Sequence, residues 1–129
     1  MKKLTLIFTL LVSTVMFSSS SYAEWTKNSS SGGGTTTFYV NFDEIRNHEG
    51  YVYYWVLSDF VKPFTDGELS VKSYMMGDCK IFRVKVLTNI WYKEPMGRGT
   101  PDPSPQSEDW EYVPPNSAIG KNLKSVCSR

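Results

Sequence analysis

Side chains able to do covalent or metal chemistry are scarce in this chain: one His, His48, and two Cys, Cys79 and Cys127, among 129 residues. A protein metal site usually takes about three or four His, Cys or carboxylate ligands. His48 has only acids near it, in the polar run Asp43-Glu44-Ile45-Arg46-Asn47-His48-Glu49-Gly50, where a solvated turn residue is a plainer reading than an acid, base or ligand. No Ser-His-Asp or Cys-His arrangement can be assembled with support. Gly97-Arg98-Gly99 lacks the Lys-Ser/Thr and the helix start of a phosphate loop. Asp59, Asp66, Glu68 and Asp78 could in principle pair as carboxylates, yet most fall at strand ends, where acids are ordinary. No catalytic residue, metal site or cofactor is expected, and the chain reads as a non-enzyme.

Binding chemistry is better represented. The run Tyr51-Val52-Tyr53-Tyr54-Trp55-Val56-Leu57-Ser58-Asp59-Phe60 is the strongest strand signal. Successive strand side chains point to opposite faces, so Tyr51, Tyr53, Trp55 and Leu57 share one face and Val52, Tyr54 and Val56 the other. Rings bury large area while Tyr and Trp keep a polar handle, which makes Tyr51, Tyr53 and Trp55 a candidate surface for a sugar or a protein. Arg83, Lys85 and Lys93 form a basic stripe beside it and complete the candidate binding surface. The bland roles for the same residues are a packed core strand and a solvated strand face. With 14 basic residues to 13 acidic, a net +1, the basic excess of a nucleic-acid binder is missing, and no nucleic-acid partner is expected.

The elements that must hold these residues are mostly strands. Residues 51–60 are apolar or aromatic on both faces and belong in the centre of a sheet. Trp25-Thr26-Lys27 and Thr35–Phe42 read as a hairpin around the Ser/Gly turn Asn28–Gly34. Residues 43–50 read as a turn or a single helical turn. Leu69–Met76 form a strand after Pro63 and Asp66-Gly67. Cys79–Lys93 form a long one, with Phe82, Val84, Val86, Thr88 and Ile90 toward the core and Arg83 and Lys85 on a wetter side. Its length predicts a bulge or bend near Leu87–Asn89. Residues 94–116 carry six Pro and two Gly and read as a loop without regular structure over most of its length, pinned back by Trp110-Glu111-Tyr112. Residues 117–127 read as a helix, capped by Asn116 or Ser117, with Ile119, Leu123, Val126 and Cys127 on one side. The expected fold is α+β, mainly β: an antiparallel sheet of about five or six strands with one C-terminal helix.

The N-terminus has the layout of a cleavable secretory signal. Lys2 and Lys3 precede the apolar run Leu4–Phe17, and a Ser-rich segment ends in Ser21-Tyr22-Ala23. The apolar run is shorter than the roughly 20 residues that span a bilayer, so no transmembrane anchor is expected. Cleavage after Ala23 leaves residues 24–129 as a single domain, with 12 basic residues to 13 acidic once Lys2 and Lys3 are gone. Export makes a disulfide the simplest reading of Cys79 and Cys127; two free thiols or an intermolecular link is the alternative. No Cys near the cleavage site offers a lipid attachment point.

A family resemblance emerges from the order of these segments. An exported N-terminus is followed by Tyr51-Val52-Tyr53-Tyr54-Trp55, Lys62-Pro63, Gly77-Asp78-Cys79-Lys80, Pro95-Met96-Gly97-Arg98-Gly99, Pro114-Pro115-Asn116-Ser117 and Cys127. This resembles the surface-adhesin protein E-like domain of gram-negative bacteria, from about Trp25 to Cys127. The resemblance implies a sheet of about six strands, with the C-terminal helix tethered by a Cys79–Cys127 disulfide. It also implies surface exposure and binding of matrix proteins such as vitronectin and laminin, with a homodimer as a further option. The missing lipid-attachment Cys sets this chain apart, so a periplasmic or cell-surface location is expected. A soluble periplasmic structural or envelope-accessory protein without a host ligand is the alternative function.

Overall fold

The strands, in chain order, are β1 (Thr26–Ser31), β2 (Thr36–Val40), β3 (Arg46–His48), β4 (Tyr51–Phe60), β5 (Ser70–Asp78), β6 (Arg83–Tyr92), β7 (Asp102–Pro105) and β8 (Glu111–Tyr112), followed by the helix α1 (Ala118–Cys127). The structure is a computed structural model, and it describes residues 24–105 and 109–129; the expected signal segment, residues 1–23, lies outside the described residues. All pairings are antiparallel. A six-strand path runs β1-β2-β4-β5-β6-β7, and two short strands join it, β3 beside β4 and β8 beside β6. The expected mainly-β architecture is thus present, with eight strands where about five or six were expected.

β4 is central, as its two-sided apolar pattern requires. Val52, Tyr54 and Val56 are buried on one face with Val40, Met75 and Val84, and α1 covers this helix face with Leu123 and Val126. The helix starts at Ser117, whose Oγ accepts from the Gly120 amide at 3.0 Å. Two glycines allow the close approach. A Cβ on Gly77 would lie 2.5 Å from Leu123 Cδ1, and one on Gly120 would lie 2.0 Å from the Pro114 carbonyl oxygen. A buried polar latch joins α1 to β1: the Asn122 Oδ1 accepts from Asn28 Nδ2 and Ser29 Oγ, each at 2.8 Å. Cys79 and Cys127 are joined in a disulfide, with Cα atoms 5.8 Å apart. It fastens the end of α1 to the β5–β6 turn and resolves the alternatives left open by the sequence.

β6 contains the expected irregularity. Val86 pairs with Met75 and Thr88 with Tyr74, so Leu87 is left without a partner. One extra residue reverses the side-chain alternation of everything after it. Val84 and Val86 therefore belong to the helix face, as expected, but Thr88 and Ile90 do not. They lie on the opposite, open face with their partners Tyr74 and Lys72.

The Pro/Gly-rich segment is more ordered than its composition suggests. β7 pairs with β6 beyond the bulge through Asp102, Pro103, Ser104 and Pro105, and β8 pairs with it before the bulge through Glu111 and Tyr112. β7 is an edge strand, and a proline that donates no hydrogen bond is tolerated there. Residues 46–48, expected in a turn, form β3 on the other flank, with Arg46 opposite Tyr53 and His48 opposite Tyr51. Three exposed polar residues carry no alternation from which a strand could be read.

Candidate binding surface

On the open face, alternation along β4 presents Tyr51, Tyr53 and Trp55, all half-buried. Leu57 shares this face but is fully buried, because the turn Pro95–Gly97 closes over that end. Asp59 Oδ1 accepts from the Met96 amide at 2.8 Å, and Ser70 Oγ accepts from the Gly97 amide at 2.8 Å while donating to the Glu94 carbonyl at 2.6 Å. Gly97 then lies against Leu57 and Lys72. The face is closed at one end and open over the rings.

Tyr74 of β5 gathers the rings, 4.8 Å from Trp55 and 6.1 Å from Tyr53 between centroids. Trp110 lies 5.2 Å from Tyr51 and pins the loop back, as the sequence suggested. Arg83 and Lys85 stand over Trp110 at 4.3 and 4.9 Å from its ring centre, within the usual range of a cation–π contact. At the other end, the Lys72 ammonium lies 5.8 Å from the Trp25 ring and 5.2 Å from the Tyr92 ring.

The basic stripe breaks at Lys93. The bulge at Leu87 turns Lys93 away from Arg83 and Lys85, and its ammonium donates to the Asp66 carbonyl and lies 3.8 Å from Glu68. Of the six residues singled out from sequence, the structure brings Tyr51, Tyr53, Trp55, Arg83 and Lys85 together on one face and leaves Lys93 apart.

Arg83 is held by its own hairpin. Its Nε donates to Asp78 Oδ2 at 3.1 Å, while Asp78 Oδ1 accepts from the Lys80 and Ile81 amides at 3.0 and 3.2 Å. Burial opposes ionisation of Asp78. Donation by the Ile81 and Lys80 amides and by the Arg83 guanidinium outweighs it and holds the carboxyl below its ordinary range. The same turn carries Cys79, so one carboxylate orders both the disulfide end and the Arg83 cation.

Three shallow grooves run along this face, of about 550, 590 and 300 Å³. Arg46 and Tyr74 border the first two, and Glu44 and Trp55 the second and third, so they form one trough from His48 to Trp25. Sequence reasoning missed Trp25, Arg46, Lys72, Tyr74 and Trp110. Tyr74 was within reach, since it lies directly opposite Trp55 once β4 and β5 are paired. Arg46 was not, because nothing in its polar run marks β3. His48 is exposed, 3.7 Å from Glu49. Among the described residues no three His, Cys, Asp or Glu side chains are grouped to hold a metal ion.

On the helix face, the Tyr54 hydroxyl is buried without a hydrogen-bond partner among the described residues, and burial raises its pKa. Tyr54 also borders a small cavity of about 110 Å³ beside Phe38, Met75 and Asn122.

Among the described residues no helix is long and apolar enough to cross a membrane. No curated protein matches the chain. The family model described as surface-adhesin protein E matches residues 25–128, which span the whole sheet, the trough, both cysteines and the helix, and the chain belongs to that family of adhesin-like proteins.

Proposed function

We propose that this chain is an exported binding protein that holds an extracellular-matrix or envelope protein on its open face and performs no catalysis. One observation carries the reading. A row of Tyr and Trp rings stands half-buried on central strands, and among the described residues no helix covers it, Trp110 lying only against Tyr51. Rings of this kind are favoured anchors because they bring large contact area at low entropic cost. Arg83 and Lys85 supply the neighbouring charge, and the match to the adhesin family supports a protein ligand of the vitronectin or laminin type. The layout of residues 1–23 supports export by the secretory route.

The test is a solid-phase assay of the mature domain, residues 24–129, against purified vitronectin, laminin and an envelope extract. Tyr53→Ala and Trp55→Ala are the variants. Saturable binding that falls about tenfold or more in either variant supports the reading; binding to none of the three, or binding indifferent to both changes, overturns it.

A soluble periplasmic accessory protein of the same fold is the second reading. Both cysteines are committed to the disulfide, so among the described residues no free thiol remains to carry a lipid. Protease treatment of intact cells separates the two: digestion of the protein places it at the surface, and full protection until the outer membrane is opened places it in the periplasm.

A further inference from the structure

We infer that the occupant of the trough is an acidic oligosaccharide, a sulfated and uronate-bearing chain of the extracellular matrix, and that Arg46, Lys72 and Lys85 read its anionic groups. The inference rests on the proposal that the open face is the binding surface, and it names the ligand chemistry.

Shape is the first argument. The three grooves share their borders and form one shallow, open channel, which suits a narrow chain lying flat better than a side chain seeking an enclosed pocket. Its floor is ring faces with polar edges, Tyr53, Tyr74 and Trp55, and such faces match the C–H side of a pyranose while hydroxyls reach the polar rim. Strand addition by a peptide is excluded along this floor. β4 and β5 are interior strands whose backbone groups are used on both sides.

Charge is the second. Arg83 is committed to Asp78 at 3.1 Å. Arg46, Lys72 and Lys85 have no carboxylate within ion-pair distance among the described residues; Arg46 and Lys72 line the channel, and Lys85 stands beside it on the same face, over Trp110. Lys85 lies opposite Met76 and Lys72 is four residues further along β5, a separation of about 13 Å at strand rise. Asp43 and Glu44 line the channel between these cations. Those acids can accept from sugar hydroxyls and would repel a phosphate at every step. The pattern asks for a ligand with anionic groups spaced apart and neutral hydroxyls between them, which describes an acidic glycan and not a nucleic acid.

The experiment is calorimetric titration of the mature domain, residues 24–129, with a heparin-derived octasaccharide, a hyaluronate octasaccharide, a neutral cello-oligosaccharide and poly-glutamate. Trp55→Ala, Arg46→Gln and the helix variant Lys124→Ala are compared with the unaltered chain. Arg46 and Lys124 are exposed, so both substitutions leave the fold intact, as a thermal melt will verify. The expected result is binding of the heparin fragment, about tenfold or more tighter than hyaluronate. Trp55→Ala and Arg46→Gln should each weaken it about tenfold, and Lys124→Ala should change nothing.

No binding of the heparin fragment up to about 1 mM, or equal binding of poly-glutamate that is indifferent to Trp55→Ala, overturns the inference. Matrix-protein binding that survives enzymatic removal of glycans yet is lost in Trp55→Ala overturns the glycan assignment alone and leaves the proposed function standing. Loss of both sinks both.

Discussion

β4 carries two sets of side chains that differ by one position in sequence and occupy opposite environments. Val52, Tyr54 and Val56 lie under α1, latched through Asn122 and fastened by the disulfide. Among the described residues no helix covers Tyr51, Tyr53 and Trp55, and Trp110 lies only against Tyr51. Composition does not distinguish the two faces, since Tyr54 is as aromatic as Tyr53. The difference is made by a helix some sixty residues later in the sequence, which spends its apolar stripe on one side only. One face is therefore committed to stability and the other is free for recognition, and substitutions on the two should separate cleanly in what they change.

The largest effect should come from removing the tether. Cys79→Ser with Cys127→Ser opens a loop of 48 residues in sequence separation, worth about 4 kcal/mol in the chain-entropy model. The urea midpoint should fall accordingly, while any molecules still folded keep ligand affinity; a loss of affinity at full folding would mean that the faces are coupled.

Next, Leu123→Ala on the helix face should cost about 3 kcal/mol, because Leu123 is fully buried. Trp55→Ala on the open face should cost about 1 kcal/mol, chiefly its contact with Tyr74. Equal costs in thermal melts would erase the distinction.

A smaller, pH-dependent effect belongs to Asp78. Its folded pKa lies below the ordinary 3.8, so its contribution is fully present above that value and is lost as pH falls through the lower folded value. The stability gap between the unaltered chain and Asp78→Asn should be constant near neutral pH and shrink below about pH 4; a gap that widens with acid would contradict the geometry.

The smallest effect is expected for Tyr54→Phe, within about 0.5 kcal/mol, since the hydroxyl it removes has no partner to lose. A cost well above that in a calorimetric melt would reveal a bonded hydroxyl.

The residues that announced themselves in sequence were those whose environment is set by near neighbours. The ten-residue alternation of β4 was readable because both parities are apolar, and the helix because Leu123, Val126 and Cys127 recur at helical steps under a Ser cap. The disulfide followed from two cysteines behind an N-terminus with the layout of a secretory signal. Arg46 and Trp110 were not readable as parts of a site, because β3 and β8 exist only by pairing with longer strands. Lys93 was misplaced for a sharper reason. Strict alternation from Arg83 carries it onto the basic stripe, and only the position of the unpaired Leu87 carries it off again. A bulge near Leu87–Asn89 was anticipated from length, but its consequence for parity needed the partner strand.

That unpaired residue gives β6 something like a reading frame. Upstream of Leu87, odd positions face the open side and even ones the helix; downstream the assignment is inverted. Exchanging the Leu87 side chain leaves that frame intact, and so does deleting the residue. Deletion would join Val86 directly to Thr88, whose partners Met75 and Tyr74 are already consecutive on β5. Thr88, Ile90 and Tyr92 would keep the open face, Trp91 its stack with Phe64, and Lys93 its place apart from Arg83 and Lys85. What the extra residue contributes is therefore the local bend and added twist of β6 and not the facing of its side chains.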